Sequence, residues 1–339
     1  MTPLTPLTPV TAGERQSAPL LQVRDLSVVF DTRRGLLTAV DRVSFSVAAG
    51  EILGVVGESG AGKSLTGTAI TGLLERPCRI GGGEIRFEGQ RIDNLPPERM
   101  RRLRGSTIAA IFQDPLTSLN PLFTVGRQLV ETIRTHLDLG REQARRRAVE
   151  LLAEVGIPAP DSRIDHYPHQ FSGGMRQRVV IALALCASPK LVVADEPTTA
   201  LDVSIQAQIL ALLKKLCREH GAAVILVTHD MGVIADTADR VAVMYAGRIV
   251  EIGPVAQVVL APRHPYTEGL MGSIPVIGTV AARLTQIEGS MPRLTDIPAG
   301  CAFHPRCPRA KTECATVRPE PRPMEGGQVA CLLHGGGET

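Results

Sequence analysis

Near the N-terminus, apolar and polar residues alternate with a period of two. Leu21 to Phe30 shows this pattern, and Arg42-Val-Ser-Phe-Ser-Val47 places Val43, Phe45 and Val47 on one side. Such alternation predicts half-buried strands. It returns in Gly83–Gly89, beyond a glycine turn at 81–83. Between these stretches the signal differs. Glu51-Ile-Leu-Gly-Val-Val56 is almost uninterrupted apolar sequence, which predicts a short buried strand, and Lys63–Leu74 reads as a helix.

Ile108-Ala-Ala-Ile-Phe112 is another apolar strand, ending at Gln113. Helical spacing then dominates to about Ala187. Ala144, Ala148, Leu151, Leu152 and Val155 share one helical face, which Gly156 and Pro158 terminate. The strands Lys190–Ala194 and Ala223–Val227 flank a helix with Ile205, Ile209, Leu212, Leu213 and Leu216 on one face. Strands alternating with helices predict an α/β fold with a mostly parallel sheet covered on both sides. Val241–Met244 and Arg248–Glu251, joined through Tyr245-Ala-Gly247, predict a closing hairpin. Residues 1–20 are rich in Thr and Pro without a period and read as a disordered tail. Past Gly253 proline and glycine become frequent, so 256–339 is expected to form a smaller, loop-rich domain.

Composition narrows the functional classes. A chain of 339 residues can bury a large core. Thirty-seven basic against 34 acidic residues leave a formal charge of +3, and aromatics make up 3%. Neither a basic footprint nor stacking platforms for nucleic acid are present, so no nucleic-acid partner is expected. The longest apolar candidate for a membrane span, Val179–Ala187, is broken off by Ser188-Pro189. The N-terminus lacks a basic segment followed by an apolar one, so the chain is expected to remain in the cytoplasm.

The chemistry begins at Gly57-Glu58-Ser59-Gly60-Ala61-Gly62-Lys63-Ser64, which fits G-x-x-x-x-G-K-[ST] at every fixed position. Its glycines let successive backbone N–H groups curl around phosphate oxygens, beside the positive end of the following helix. Lys63 would place a charge on the β- and γ-phosphates, and the Ser64 hydroxyl would ligate Mg²⁺. Leu191-Val-Val-Ala-Asp195 followed by Glu196 is the second nucleotide motif. Its buried strand would deliver Asp195 to Mg²⁺ and Glu196 to the attacking water.

Phe171-Ser172-Gly173-Gly174-Met175-Arg-Gln-Arg178 resembles the signature sequence of ABC-transporter ATPases. Other positions agree in order over residues 21–255. Gln113 resembles the Q-loop glutamine, Ala200-Leu201-Asp202 the D-loop and His229 the switch histidine, while Phe30 sits where an aromatic ring would stack on adenine. Met175 replaces the usual signature glutamine, and Leu65 follows Ser64 where Thr is frequent. This resemblance implies a P-loop NTPase cassette: a RecA-like core, an antiparallel β subdomain and a helical subdomain at about 114–187. It also implies ATP as substrate, Gln113 as a further Mg²⁺ contact, and a head-to-tail dimer in which Ser172–Met175 face nucleotide held by the partner.

Phe112–Pro121, Ala200–Gln208, Arg263-His-Pro-Tyr-Thr267 and Cys301-Ala-Phe-His-Pro-Arg-Cys307 are similar to ATPase subunits of dipeptide/oligopeptide importers. The phosphate loop and the Met-bearing signature look like the D-type member of that family. The implied partners are an F-type ATPase or a second copy, two membrane permeases and an extracytoplasmic peptide-binding protein. The implied location is the cytoplasmic face of the inner membrane. Importers of nickel or another small solute, and soluble ABC ATPases not coupled to transport, are the alternatives.

Cys301, Cys307, Cys314 and Cys331 follow the spacing C-x5-C-x6-C-x16-C, without the paired knuckles of structural zinc. They are expected to bind one metal centre, a [4Fe–4S] cluster of the kind reported for some members of the resembling family, or Zn²⁺ in its place. Cys78, Cys186 and Cys217 read as packing residues.

Overall fold

The computed structural model describes residues 18–33, 35–198, 201–273 and 286–334. The segment expected to be a disordered tail lies outside the described residues up to position 17, as does Ala200 of the expected D-loop. Among the described residues the strands form two sheets.

The smaller sheet is antiparallel. Leu21–Thr32 lies between Gly35–Val47 and Cys78–Phe87, with Gln90–Arg91 at the edge. Leu21, Val23, Leu26, Val43 and Phe45 are buried on one face, as the alternation predicts. Register shifts between Val23 and Val29 bend the long first strand.

The larger sheet carries the site. From one edge its order is Ile108–Ile111, Leu191–Asp195, Ala223–Thr228, Ile52–Val56 and Arg240–Tyr245, all parallel. Arg248–Pro254 turns back antiparallel, and Gly327–Val329 and Arg322–Met324 extend that edge. Ile52–Val56 is buried at every position because both faces are covered. One face packs with the antiparallel sheet through Leu53, Val55, Ile225 and Val227. The other packs under the helical layer through Ile52, Val56, Val224 and Leu226.

Helices Pro115–Ser118, Val125–His136, Arg141–Glu154, Pro160–Arg163 and Gly173–Leu185 make up that layer's connection between the first two sheet strands. Thr124, Ser172, Asp202 and Asp230 cap their helices by accepting backbone N–H bonds. The C-terminal stretch shares the cassette's sheet and core. Tyr266 and Phe303 are buried in the same apolar cluster as Ile52 and Val56. Buried Glu251, on the hairpin strand, accepts the N–H groups of Arg263 (2.9 Å) and His264 (3.0 Å) and so anchors the Arg263–Thr267 motif.

Candidate nucleotide site

Four strand ends converge at the C-terminal edge of the parallel sheet, where open α/β sheets bind ligands. The phosphate loop leaves Ile52–Val56; Gln113 follows Ile108–Ile111; Asp195 and Glu196 end Leu191–Asp195; His229 follows Ala223–Thr228. Parallel order brings these residues together although long stretches of sequence separate them.

The loop is shaped by its glycines. A Cβ on Gly57 would lie 2.2 Å from the Met244 carbonyl oxygen, so only glycine lets the loop rest on the neighbouring strand. Gly62 has φ 99° and caps the helix Lys63–Thr71 without a side chain. Ser59 and Gly60 are exposed, whereas Ala61 is buried. The loop therefore presents its backbone outward from a fixed base.

Lys63 is buried and its ammonium donates to the carbonyl oxygens of Gly57 (2.8 Å) and Glu58 (3.1 Å). Burial lowers its pKa despite the nearby Glu196, Asp195 and Glu58 carboxylates. The Ser64 hydroxyl donates to Asp195 Oδ1 at 2.9 Å. Burial raises the pKa of Asp195, and the adjacent Glu196 adds to the rise. A buried cation and a half-buried carboxylate are thus both held short of full solvation. A polyphosphate with a divalent cation would satisfy both. Two hard oxygen donors side by side suit Mg²⁺, which takes few protein ligands beside substrate phosphates.

Glu196 sits at a left-handed φ of 44°, and its N–H donates to the Val227 carbonyl at 2.9 Å. Non-glycine residues rarely adopt such backbone, and it turns the carboxylate away from the strand direction. Oε2 accepts from Gln113 Nε2 at 3.0 Å, and Oε1 lies 3.2 Å from His229 Nδ1. The three expected polar residues therefore form one hydrogen-bonded row beside the Ser64–Asp195 pair.

Other candidates are placed differently. Phe30 and Leu65 are half-buried and pack against the antiparallel-sheet core. Asp202 caps Val203–Glu219, accepting the Ile205 N–H at 2.9 Å. Ser172 caps Gly173–Leu185, with Ser172 and Gly173 exposed and Gly174 and Met175 half-buried. Among the described residues, no hydrogen bond or ion pair joins Ser172–Met175 to the loop of the same chain.

The expected metal cluster is a correction. Among the described residues, no group of three or more His, Cys, Asp or Glu is placed to hold a metal ion. Cys301 and Cys307 pack against the main core. Burial pushes the Cys301 thiol up to about 11 and raises Cys307 and Cys331 as well. Metal ligands are thiolates, and burial favours the protonated form. Cys314 is buried and its sulfur accepts the Lys311 N–H at 3.4 Å. Neither [4Fe–4S] nor zinc coordination is supported, and the four cysteines join Cys78, Cys186 and Cys217 as free thiols.

Sequence reasoning also missed a set of contacts. Tyr266 and Arg306, both C-terminal, hydrogen-bond Glu58 within the phosphate loop. The signal was present in the Arg263–Thr267 and Cys301–Cys307 motifs, but nothing local says what they touch.

A phosphate loop and an acid-bearing strand on a parallel sheet, with an antiparallel sheet and a helical insertion, define a P-loop ATP-binding cassette. Comparison with known proteins agrees. The family model "ABC transporter" matches residues 40–199, and "Oligopeptide/dipeptide transporter, C-terminal region" matches 250–314. The dipeptide transport ATP-binding protein DppD of Haemophilus influenzae is 48% identical over 92% of this chain and 94% of its own length. The oligopeptide transport ATP-binding protein OppD of Escherichia coli is 47% identical, covering 95% and 96%. A solved ATP-binding cassette dimer in a post-hydrolysis state with ADP and Pi superposes with a TM-score of 0.62 at 28% identity, covering 69% of this chain and 98% of its own. CbiO1 of Clostridium perfringens, part of a cbiONQ transporter complex, gives 0.62 at 27%, covering 72% and 92%. The chain belongs to the ATP-binding proteins of dipeptide/oligopeptide ABC transporters, and it is an ATPase.

Proposed function

We propose that this chain powers import of dipeptides or oligopeptides by hydrolysing ATP at the peripheral, cytoplasmic face of the inner membrane. The observation that carries the proposal is one continuous structure. The Gly57–Ser64 loop with its Asp195, Glu196, Gln113 and His229 neighbours is joined to a C-terminal segment matching the peptide-transporter profile. Both kinds of similarity extend through one chain.

In this reading the Gly57–Ser64 backbone and Lys63 hold the β- and γ-phosphates, and Phe30 and Leu65 lie toward the rest of the nucleotide. Ser64, Asp195 and Gln113 hold Mg²⁺, which when bound draws charge from the phosphate oxygens. Glu196 orients the attacking water and accepts its proton, and His229 senses the γ-phosphate. Ser172–Met175 and Asp202 are solvent-facing or half-buried, which supports their meeting nucleotide held by a second cassette. That cassette is an F-type ATPase or another copy. Closure on ATP and parting after hydrolysis are relayed by Gln113 and the following helices to two permeases, fed by an extracytoplasmic peptide-binding protein. Exposed Phe112, Leu116 and Leu122 beside Gln113 supply an apolar surface for that docking.

Purification of the tagged chain from membranes tests this. The expected result is recovery of two multi-span subunits and a complex whose ATPase activity rises with peptide-loaded binding protein. Recovery of ribosomal proteins, or of permeases unresponsive to peptides, would overturn the importer assignment.

A further inference from the structure

Glu58 lies inside the phosphate loop, yet its side chain and its N–H both point into the C-terminal segment. The N–H donates to the Tyr266 hydroxyl at 2.9 Å. The carboxylate accepts from Arg306 Nη1 at 3.0 Å. Tyr266 is wholly buried, and the Arg306 side chain is 7% exposed. Arg306 is itself fixed, donating to the carbonyl oxygens of Glu288 (2.8 Å), Ile287 (3.4 Å) and Gly289 (3.4 Å) and to the Tyr245 hydroxyl (3.3 Å). The rings of Tyr245, Tyr266 and Phe303 pack mutually, with centroids 4.7, 5.2 and 5.4 Å apart.

The other side of the same residue faces the nucleotide machinery. The Glu58 carbonyl accepts from the Lys63 ammonium at 3.1 Å, and that of Gly57 accepts from it at 2.8 Å. A phosphate would compete with these carbonyls for the three N–H donors of the Lys63 ammonium. A loop held only by Lys63 would then have its inner tether weakened at the moment of binding. Tyr266 holds the Glu58 N–H and Arg306 its carboxylate, and neither contact depends on Lys63.

We propose that Tyr266 and Arg306 are positioning residues for the phosphate loop, keeping it in its nucleotide-competent curl when Lys63 also engages phosphate. The C-terminal segment thereby belongs to the ATP site although it supplies no phosphate ligand. This inference rests on Gly57–Ser64 being the phosphate site. Loss of a competent population weakens apparent affinity by the fraction lost and leaves the chemical step alone.

The test uses the full-length chain with a fluorescent ATP analogue and Mg²⁺, then the assembled transporter for steady-state kinetics. Tyr266→Phe removes one hydroxyl and keeps the packed ring. It should raise the Kd, and the KM for ATP, by roughly tenfold, the scale of one lost buried hydrogen bond, with kcat within about twofold. Arg306→Ala should match or exceed that loss, and Arg306→Lys should restore part of it by returning a charge to Glu58. Arg309→Ala is the control. Its ion pair with Glu268 lies in the same segment away from the loop, so it should leave ATP affinity unchanged. If Tyr266→Phe and Arg306→Lys lower the melting temperature with ATP affinity intact, their role is only structural and the proposal fails. Lys63→Ala separates the two levels. Undiminished ATP binding by that variant would sink the phosphate-site reading itself. Its loss, beside normal binding by Tyr266→Phe, would sink only the positioning role.

Discussion

Glu196 gathers the polar row of the site onto one carboxylate. Its backbone is tied to Val227, and its two oxygens meet Gln113 and His229. Replacing it with Gln preserves the size and most hydrogen bonds but removes the carboxylate proposed to accept the proton. Glu196→Gln should therefore keep ATP binding and lose about 10²–10⁴-fold in hydrolysis by the assembled complex. Near-normal turnover would take Glu196 out of that role. This residue was legible in the sequence because an apolar strand must end where its last side chain leaves the core. Asp195 and Glu196 stand at that end, as do Gln113 and His229 at theirs. Glu58 was not legible as a contact point, since Tyr266 and Arg306 lie more than two hundred residues further along the chain.

The short helix Pro265–Gly272 depends on the residue that caps its N-terminus. Buried His264 accepts the Tyr266 N–H on Nδ1 at 3.0 Å, which requires that nitrogen to be unprotonated. Burial, with smaller contributions from His334 and Arg309, lowers its pKa from the ordinary 6.5 to about 3. In that interval the unfolded chain binds a proton that the folded chain refuses. Stability from this group is therefore present above about pH 6.5 and is lost as the pH falls toward the folded value, by at most about 1.4 kcal/mol per unit. His264→Asn keeps an acceptor for the cap without a titrating ring. Its melting temperature should decline less than that of the wild type between about pH 6.5 and pH 5. Parallel slopes for the two proteins would show that His264 is not the group responsible. The cap matters beyond its helix because it orients Tyr266, the next residue but one, toward the phosphate loop.

Taken as a whole, the molecule carries two surfaces proposed to face nucleotide, and among the described residues no hydrogen bond or ion pair joins them. The loop and its acid row occupy the sheet edge, and Ser172–Met175 stand exposed or half-buried at the start of a separate helix. A site completed only by a second cassette predicts that the purified chain is a weak ATPase whose rate rises with concentration, and much more on adding its partner and permeases. Full activity in dilute monomer would contradict the composite site. The C-terminal segment is no loose appendage in this arrangement. Its two short strands continue the main sheet, and Phe303 and Tyr266 are buried with the cassette core. Truncation before Arg263 should thus impair the cassette itself.

Period-two and helical spacing, together with the G-x-x-x-x-G-K-S loop and the strand-end acids, were sufficient to establish an α/β nucleotide-binding protein. Those signals are local: a strand's alternation or a loop's glycines follow from the backbone's own geometry. Local spacing misled at the cysteines. Four thiols near each other in sequence suggested a metal centre, whereas folding buries Cys314 and packs Cys301 and Cys307 against the core. Burial makes a thiolate costly, and that environment is absent from the order of residues. The grip of Tyr266 and Arg306 on Glu58 likewise exists only once the C-terminal segment lies against the sheet. Contacts across such separations depend on how whole elements pack, and packing is decided by the tertiary structure alone.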